Sequence, residues 1–195
     1  MGLVNGRGAR ASEMRCEPLA NAANAQSLSE YVEGLSEHRS SDWAWRHYKE
    51  VLVDLLRIRH AKRMMEIGGG RFPLFDRDEI APLEVEYIIN DLSPSELARA
   101  PSEVGKACFD IASANTTEIE ALAGTIDLTF SKMVFEHVSD ALQAYRNIYK
   151  MLSRRGICFE LSSRVIFAAV FDKLSCPDGA NGTPVAEICA ETQSQ

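Results

Sequence analysis

Basic residues are in the minority in this chain, with 21 lysines and arginines against 28 aspartates and glutamates, a formal charge of -7 over 195 residues. That is the wrong sign for a protein whose main partner is a phosphate backbone, so no nucleic-acid partner is expected. Metal-ligand spacing is missing too. The five cysteines, at 16, 108, 158, 176 and 189, make no Cys-x-x-Cys pair, and the four histidines, at 38, 47, 60 and 137, complete no zinc set, so no metal site is expected. Cys108 and Cys158 each lie in an apolar run and read as buried, reduced thiols. Long apolar runs are lacking as well. The longest, Val165 to Phe171, falls far short of the ~20 residues that cross a bilayer. The first 30 residues carry no apolar signal core, and Gly6 stands where a myristoylation signal needs Ser or Thr. These absences lead to the expectation of a soluble, cytoplasmic protein with no membrane partner.

What remains is ordinary globular composition, 46% hydrophobic and 25% charged, enough for one core-bearing domain. There is no internal repeat. Residues 1–40 are rich in Gly, Ala, Asn, Ser and Glu and read as a mobile leader, helical near Leu28 to Leu35. Residues 41–174 read as the folded domain and 175–195 as an irregular tail. Ser41 or Asp42 can cap a helix running to about His60, with Trp45, Tyr48, Val51, Leu52, Leu55 and Leu56 on one buried face. The cluster Arg57, Arg59, His60, Lys62 and Arg63 then reads as a solvated helix end that complements the macrodipole.

From residue 63 short apolar runs alternate with helical ones. Strands are expected at 64–67, 85–90, 106–109, 125–130 and 157–161. Between them come a short helix opened by Pro73, one begun by Ser93 or Ser95, one over 116–122, and one capped by Ser139 and stopped by Gly156. Strands alternating with helices imply an α/β fold with a mostly parallel, doubly wound sheet of five clear strands. Ligands of such sheets sit outside the carboxyl ends of the strands, at the topological switch point. Function is therefore sought at residues 66–72, 90–93, 109–112 and 130–137.

At the first of these, Glu66-Ile67-Gly68-Gly69-Gly70-Arg71-Phe72 leaves the backbone bare where a strand turns toward a helix. Glycines there serve either a tight turn alone or the close approach of a ligand. A dinucleotide fingerprint would need Gly at 68, 70 and 73, and residue 73 is Pro. An acidic residue two before the first glycine is instead in place.

This run resembles the first motif of the class I S-adenosylmethionine-dependent methyltransferases, with Phe72 in place of the usual last glycine. The resemblance covers about residues 42–165 and is carried by three further segments. Asp91, followed by Leu92, ends the second strand like the family's ribose-binding acid, and a carboxylate suits two hydroxyl donors because it is acceptor-only. Asp110 follows the third strand like the acid near the adenine amino group, with Ile111 then against the ring. The run from Asp127 to Val138 is similar to the strand-four segment, with Ser131 the small polar residue at the strand end and His137 just beyond it. Met151 to Gly156 is similar to the turn into strand five.

The resemblance implies a Rossmann-like fold, S-adenosyl-L-methionine as cofactor, and methyl transfer to a small-molecule acceptor. It places Glu66, Gly68, Gly69, Gly70, Asp91, Leu92, Asp110, Ile111 and Ser131 around the cofactor, and it gives Trp43, Trp45 and Tyr48 a second reading beside core burial, as a lid or acceptor pocket. His137, with Glu136 second, is the candidate base where the acceptor carries a proton, since an unperturbed imidazole titrates near neutrality. After strand five the family continues to an antiparallel strand pair. Here Val165 to Leu174 gives one apolar segment and the remainder reads as a loop with at most one short strand, so that pair is expected to be incomplete or absent. An open sheet edge would follow, suited to pairing with a second copy. The same shortness keeps open an alternative, a non-catalytic binding or regulatory protein on the same fold.

Overall fold

The computed structural model describes residues 41–114, 116–161, 166–169 and 187–189. The expected leader, its helix at 28–35 and most of the expected tail lie outside the described residues. Element order is α1 (Ser41–Arg59), β1 (Arg63–Ile67), α2 (Arg77–Ile80), a 3-10 turn (Ala81–Leu83), β2 (Glu86–Asp91), α3 (Pro94–Arg99), β3 (Gly105–Cys108), α4 (Thr117–Ala121), β4 (Ile126–Lys132), a 3-10 turn (Phe135–His137), α5 (Ala141–Met151), β5 (Leu152–Leu161), β6 (Ile166–Ala169) and β7 (Glu187–Cys189). Among the described residues no helix is long and apolar enough to cross a membrane.

The strands form one sheet in the order β3-β2-β1-β4-β5-β6-β7, with β1 to β5 parallel. The chain winds outward from β1 to β3, then crosses back to β4 on β1's other side, so the switch point lies between β1 and β4. The closing antiparallel pair is short, four and three residues. Here β6 covers β5 and β7 covers β6, leaving β7 and β3 as the sheet edges among the described residues.

Two cores cover the sheet. On one face Tyr48, Leu52, Leu55 and Leu56 of α1 and Leu97 of α3 pack on Met64, Ile89, Phe130 and Phe159. Opposite, Ile119 of α4 and Ala144, Ile148 and Met151 of α5 pack on Met65, Ile67, Ile126 and Cys158. These alternating strand residues serve opposite faces, as a sheet buried on both sides requires.

Several local expectations need correction. Pro73 lies in a turn, and α2 begins instead at Arg77, because Asp76 and Glu79 form a reciprocal capping box. Asp140, rather than Ser139, caps α5 by accepting from Gln143 N at 2.9 Å. Gly156 does not stop that helix. It sits inside β5 beside a register shift, where a Cβ would meet Ile126 O and Leu152 Cβ at 2.9 Å. Cys108 is exposed, since β3 carries little of the core, whereas Cys158 is buried. Trp45 leaves the buried stripe of α1 and is 36% exposed, while Tyr48 is buried.

Candidate functional site

Register aligns the carboxyl ends of the central strands. Ile67 pairs with Asn90 on one side and Ser131 on the other, and Asp91 pairs with Cys108. The turn after β1, the end of β2, the turn after β3 and the end of β4 therefore share one edge. Asn90 ties this edge together: its side-chain amide donates to Ala107 O and Phe109 O, both at 3.0 Å. Asn147 of α5 does the same for the next turn, donating to Ile111 O and Ser113 O at 2.7 Å.

The glycine turn is shaped by its neighbours. Gly68 and Gly70 hold φ of +74° and +52°, the left-handed region that glycine enters without steric cost. A Cβ on Gly68 would lie 2.5 Å from Val134 Cγ2, and one on Gly70 would lie 3.1 Å from Asp91 Oδ2. The bare backbone of Gly70 thus lies against the Asp91 carboxylate. Gly69 N donates to Asn90 O at 3.1 Å, and a Cβ there would lie 3.1 Å from the Glu66 carboxyl carbon.

Glu66 is buried and accepts from Tyr87 Oη, and from Leu74 N at 2.9 Å. Burial pushes its carboxyl above the ordinary range, and the Tyr87 and Leu74 hydrogen bonds pull it partly back. Its visible role is to brace the loop that follows the glycines. Asp91, half-buried, accepts from Ser93 N at 2.7 Å through Oδ1. Leu92 is 70% exposed and Phe72 82%, so two large apolar side chains flank the turn in solvent. Asp110 is exposed and accepts from Ala112 N at 2.8 Å. His137 and Glu136 are exposed on the 3-10 turn beyond β4.

The structure thus brings Gly68, Gly69, Gly70, Asp91 and Leu92 together, with Asp110 on the same edge. It places two other expected residues beneath the surface. Ile111 packs in the core with Ile119 and Ile148. Ser131 is buried, its hydroxyl donating to Glu160 and its carbonyl accepting from Tyr48 Oη at 2.5 Å.

The Glu160 cluster was not foreseen from sequence, because an acid inside Ile-Cys-Phe-Glu-Leu reads as part of a strand. Glu160 pairs with Ser131 across β4 and β5, and Cys158 Sγ donates to its Oε1 at 3.3 Å. Burial pushes the Glu160 carboxyl up to about 7, with the Ser131 and Cys158 hydrogen bonds opposing the shift. Burial also raises the Cys158 thiol well above its usual value. A raised carboxyl is protonated in both folded and unfolded chains below pH 4.5, the ordinary value. Between there and about pH 7 the unfolded chain releases the proton and the folded one keeps it, so stability falls through that window. The loss is on the order of 3 kcal/mol. Urea unfolding of Glu160→Gln should show that slope removed, and an identical pH profile in both proteins would contradict it.

Residues 67–159 match the model of a family described as Methyltransferase domain. No curated protein matches the sequence. Among solved structures, the chain is similar to the trans-methyltransferase CalH in complex with SAH, at 21% identity over 65% of this chain and 38% of that one, TM-score 0.49. It is similar to the YcgJ protein from Bacillus subtilis at 17% identity, covering 61% and 51%, TM-score 0.49. A third is phosphoethanolamine N-methyltransferase 2 from Haemonchus contortus with S-adenosyl-L-methionine, at 21% identity, covering 54% and 24%, TM-score 0.43. The chain spans less than two thirds of each of these proteins, and none of their substrates carries over to it.

Proposed function

We propose, from the match of residues 67–159 to a family described as Methyltransferase domain, that this chain is a class I S-adenosylmethionine-dependent methyltransferase and transfers a methyl group from S-adenosyl-L-methionine to a small-molecule acceptor. The observation that carries the reading is the bare Gly70 backbone lying against the Asp91 carboxylate at the carboxyl ends of β1 and β2. The residues there fit an adenosyl group. Asp91 is acceptor-only, and its Oδ2 faces backbone that bears no side chain, which suits the two ribose hydroxyls. The exposed Leu92 offers an apolar surface to a flat ring, and Asp110 an acceptor to an exocyclic amine. Glu66 holds the glycine turn in shape from below.

The bound sulfonium supplies the methyl group. The chain's own work is to hold the acceptor in line with it and exclude water. Where the acceptor carries a proton, the His137 imidazole takes it, and Glu136 is the second candidate. The folded unit serving this activity is assigned to residues 41–174.

Isothermal titration with S-adenosyl-L-methionine and its demethylated product, S-adenosylhomocysteine, tests the cofactor. No heat and no thermal shift at millimolar ligand would sink the proposal. For a protonated acceptor, His137→Ala should slow turnover by about 100-fold or more and leave S-adenosylhomocysteine affinity unchanged. Full turnover in that variant would reduce His137 to a surface residue. Binding without turnover on any acceptor would leave a binding protein on this fold.

A further inference from the structure

The edge beyond the cofactor site has a second chemical feature. Lys132, the last residue of β4, stands one step past the Ile67 and Ser131 pair and is level with Gly68 across the switch point. Strand alternation sends Ser131 toward α5 and Lys132 toward α1, where its ammonium lies 5.0 Å from the centroid of the Trp45 ring. The tyrosine one helical turn after Trp45 fixes this arrangement, since Tyr48 Oη donates to Ser131 O at the same strand end. The first half of α1 is thereby pinned over the carboxyl end of β4.

Charge pairing sets Lys132 apart from other cations near the glycine turn. Lys49 is paired with Glu79 at 2.7 Å and Arg71 with Glu96 at 2.6 Å. Among the described residues no carboxylate lies within ion-pair distance of Lys132. An indole face attracts an ammonium without neutralising it, so the charge stays available to a ligand. Lys132 is exposed and Trp45 is 36% exposed, an uncommon position for the largest apolar side chain of a helix whose other face is buried. In a chain of net charge -7, this is a cation in no contact ion pair, felt at longer range by the Glu66 carboxyl, beside an aromatic surface at the edge where the chemistry is placed.

We infer that Lys132 and Trp45 form the acceptor subsite, and that the acceptor is a small planar molecule carrying an anionic group, a carboxylate or a phosphate. Lys132 takes the anion and the indole takes the apolar body. The inference rests on the methyl-transfer reading, because it names the acceptor class of that same site. Lys132 is a specificity residue here and touches no reacting atom.

The probes are benzoate and its neutral isostere benzamide, titrated into the protein saturated with S-adenosylhomocysteine and followed by tryptophan fluorescence and calorimetry. Benzoate should bind about tenfold tighter than benzamide, the discrimination expected of one partly exposed charged hydrogen bond. Lys132→Met should bring benzoate down to the benzamide level, Lys132→Arg should keep the preference, and both variants should bind S-adenosylhomocysteine within about twofold of the parent. If S-adenosylhomocysteine binds and benzoate shows no preference, or binds not at all, the acceptor assignment alone is overturned. A preference that survives Lys132→Met overturns it too. If S-adenosylhomocysteine itself does not bind, the methyl-transfer reading fails and takes this one with it.

Discussion

Asp91→Ala should weaken S-adenosylhomocysteine binding by about 100-fold or more. Asp91 is the last residue of β2, next to β1 at the carboxyl edge of the sheet, and its Oδ2 faces the bare backbone of Gly70. One carboxylate oxygen is engaged by Ser93 N at 2.7 Å, which fixes the side-chain rotamer before any ligand arrives. Two hydroxyl donors to a charged acceptor contribute ~1.5–3 kcal/mol each. Their joint loss therefore amounts to ~3 kcal/mol or more, about two orders of magnitude in affinity. Since Asp91 also holds the start of α3 through Ser93, the alanine variant needs a control. Asp91→Asn keeps that local hydrogen bond and the side-chain shape while removing the charge, and should fall between parent and alanine. Calorimetric affinities within threefold of the parent for both variants would show that the ribose contact is elsewhere.

The largest loss of stability is expected from Phe130→Ala. Phe130 is fully buried in β4, and its ring lies 6.0 Å from that of Phe75, 6.3 Å from that of Tyr87 and 6.4 Å from that of Tyr48. Removing a buried phenyl forfeits its transfer energy and leaves a cavity, ~3–5 kcal/mol together. For a domain of this size the melting temperature should drop by roughly 10 °C. The damage should not stop at stability. Tyr87 donates to Glu66, which braces the glycine turn, and Tyr48 holds α1 to the end of β4. Ligand affinity should therefore weaken in the same variant at temperatures where it is still folded. A melting shift of under 3 °C would mean that this aromatic cluster is not the keystone of its layer.

Much of this arrangement was readable from sequence because it rests on local rules. Apolar runs of strand length separated by helical periods require a parallel sheet, and the chain delivers β1 to β5 within one to two residues of expectation, apart from the early start of β5. The strand-end acids could be found because each follows an apolar run directly. Tertiary partners were not readable. Glu160 looked like a strand residue until Ser131 and Cys158 were seen to converge on it from β4 and β5. Ile111 was expected from the resemblance to lie against the adenine ring, and only the packing of α4 and α5 puts it in the interior. Trp45 follows the helical period toward the core, but Lys132 comes from a strand 87 positions later in the chain. Gly156 is the clearest case. Glycine after a helix reads as a stop, whereas here the carbonyl of Ile126 on the neighbouring strand excludes any side chain.

Asp127 lies at the opposite end of β4 from the candidate site. Its Oδ2 accepts from Lys62 N at 2.8 Å and Arg63 N at 3.1 Å, and its Oδ1 accepts from Ser153 Oγ at 2.8 Å. One carboxylate therefore stitches the entry of β1 and the start of β5 to β4, about 17 Å of strand away from Lys132. Upkeep of the sheet and recognition of ligands are thereby housed at opposite rims of the same strand. Substrate preference can drift at one rim over generations of sequence change while the other keeps the scaffold intact, and a chemist redesigning the acceptor subsite could work there without reopening the fold.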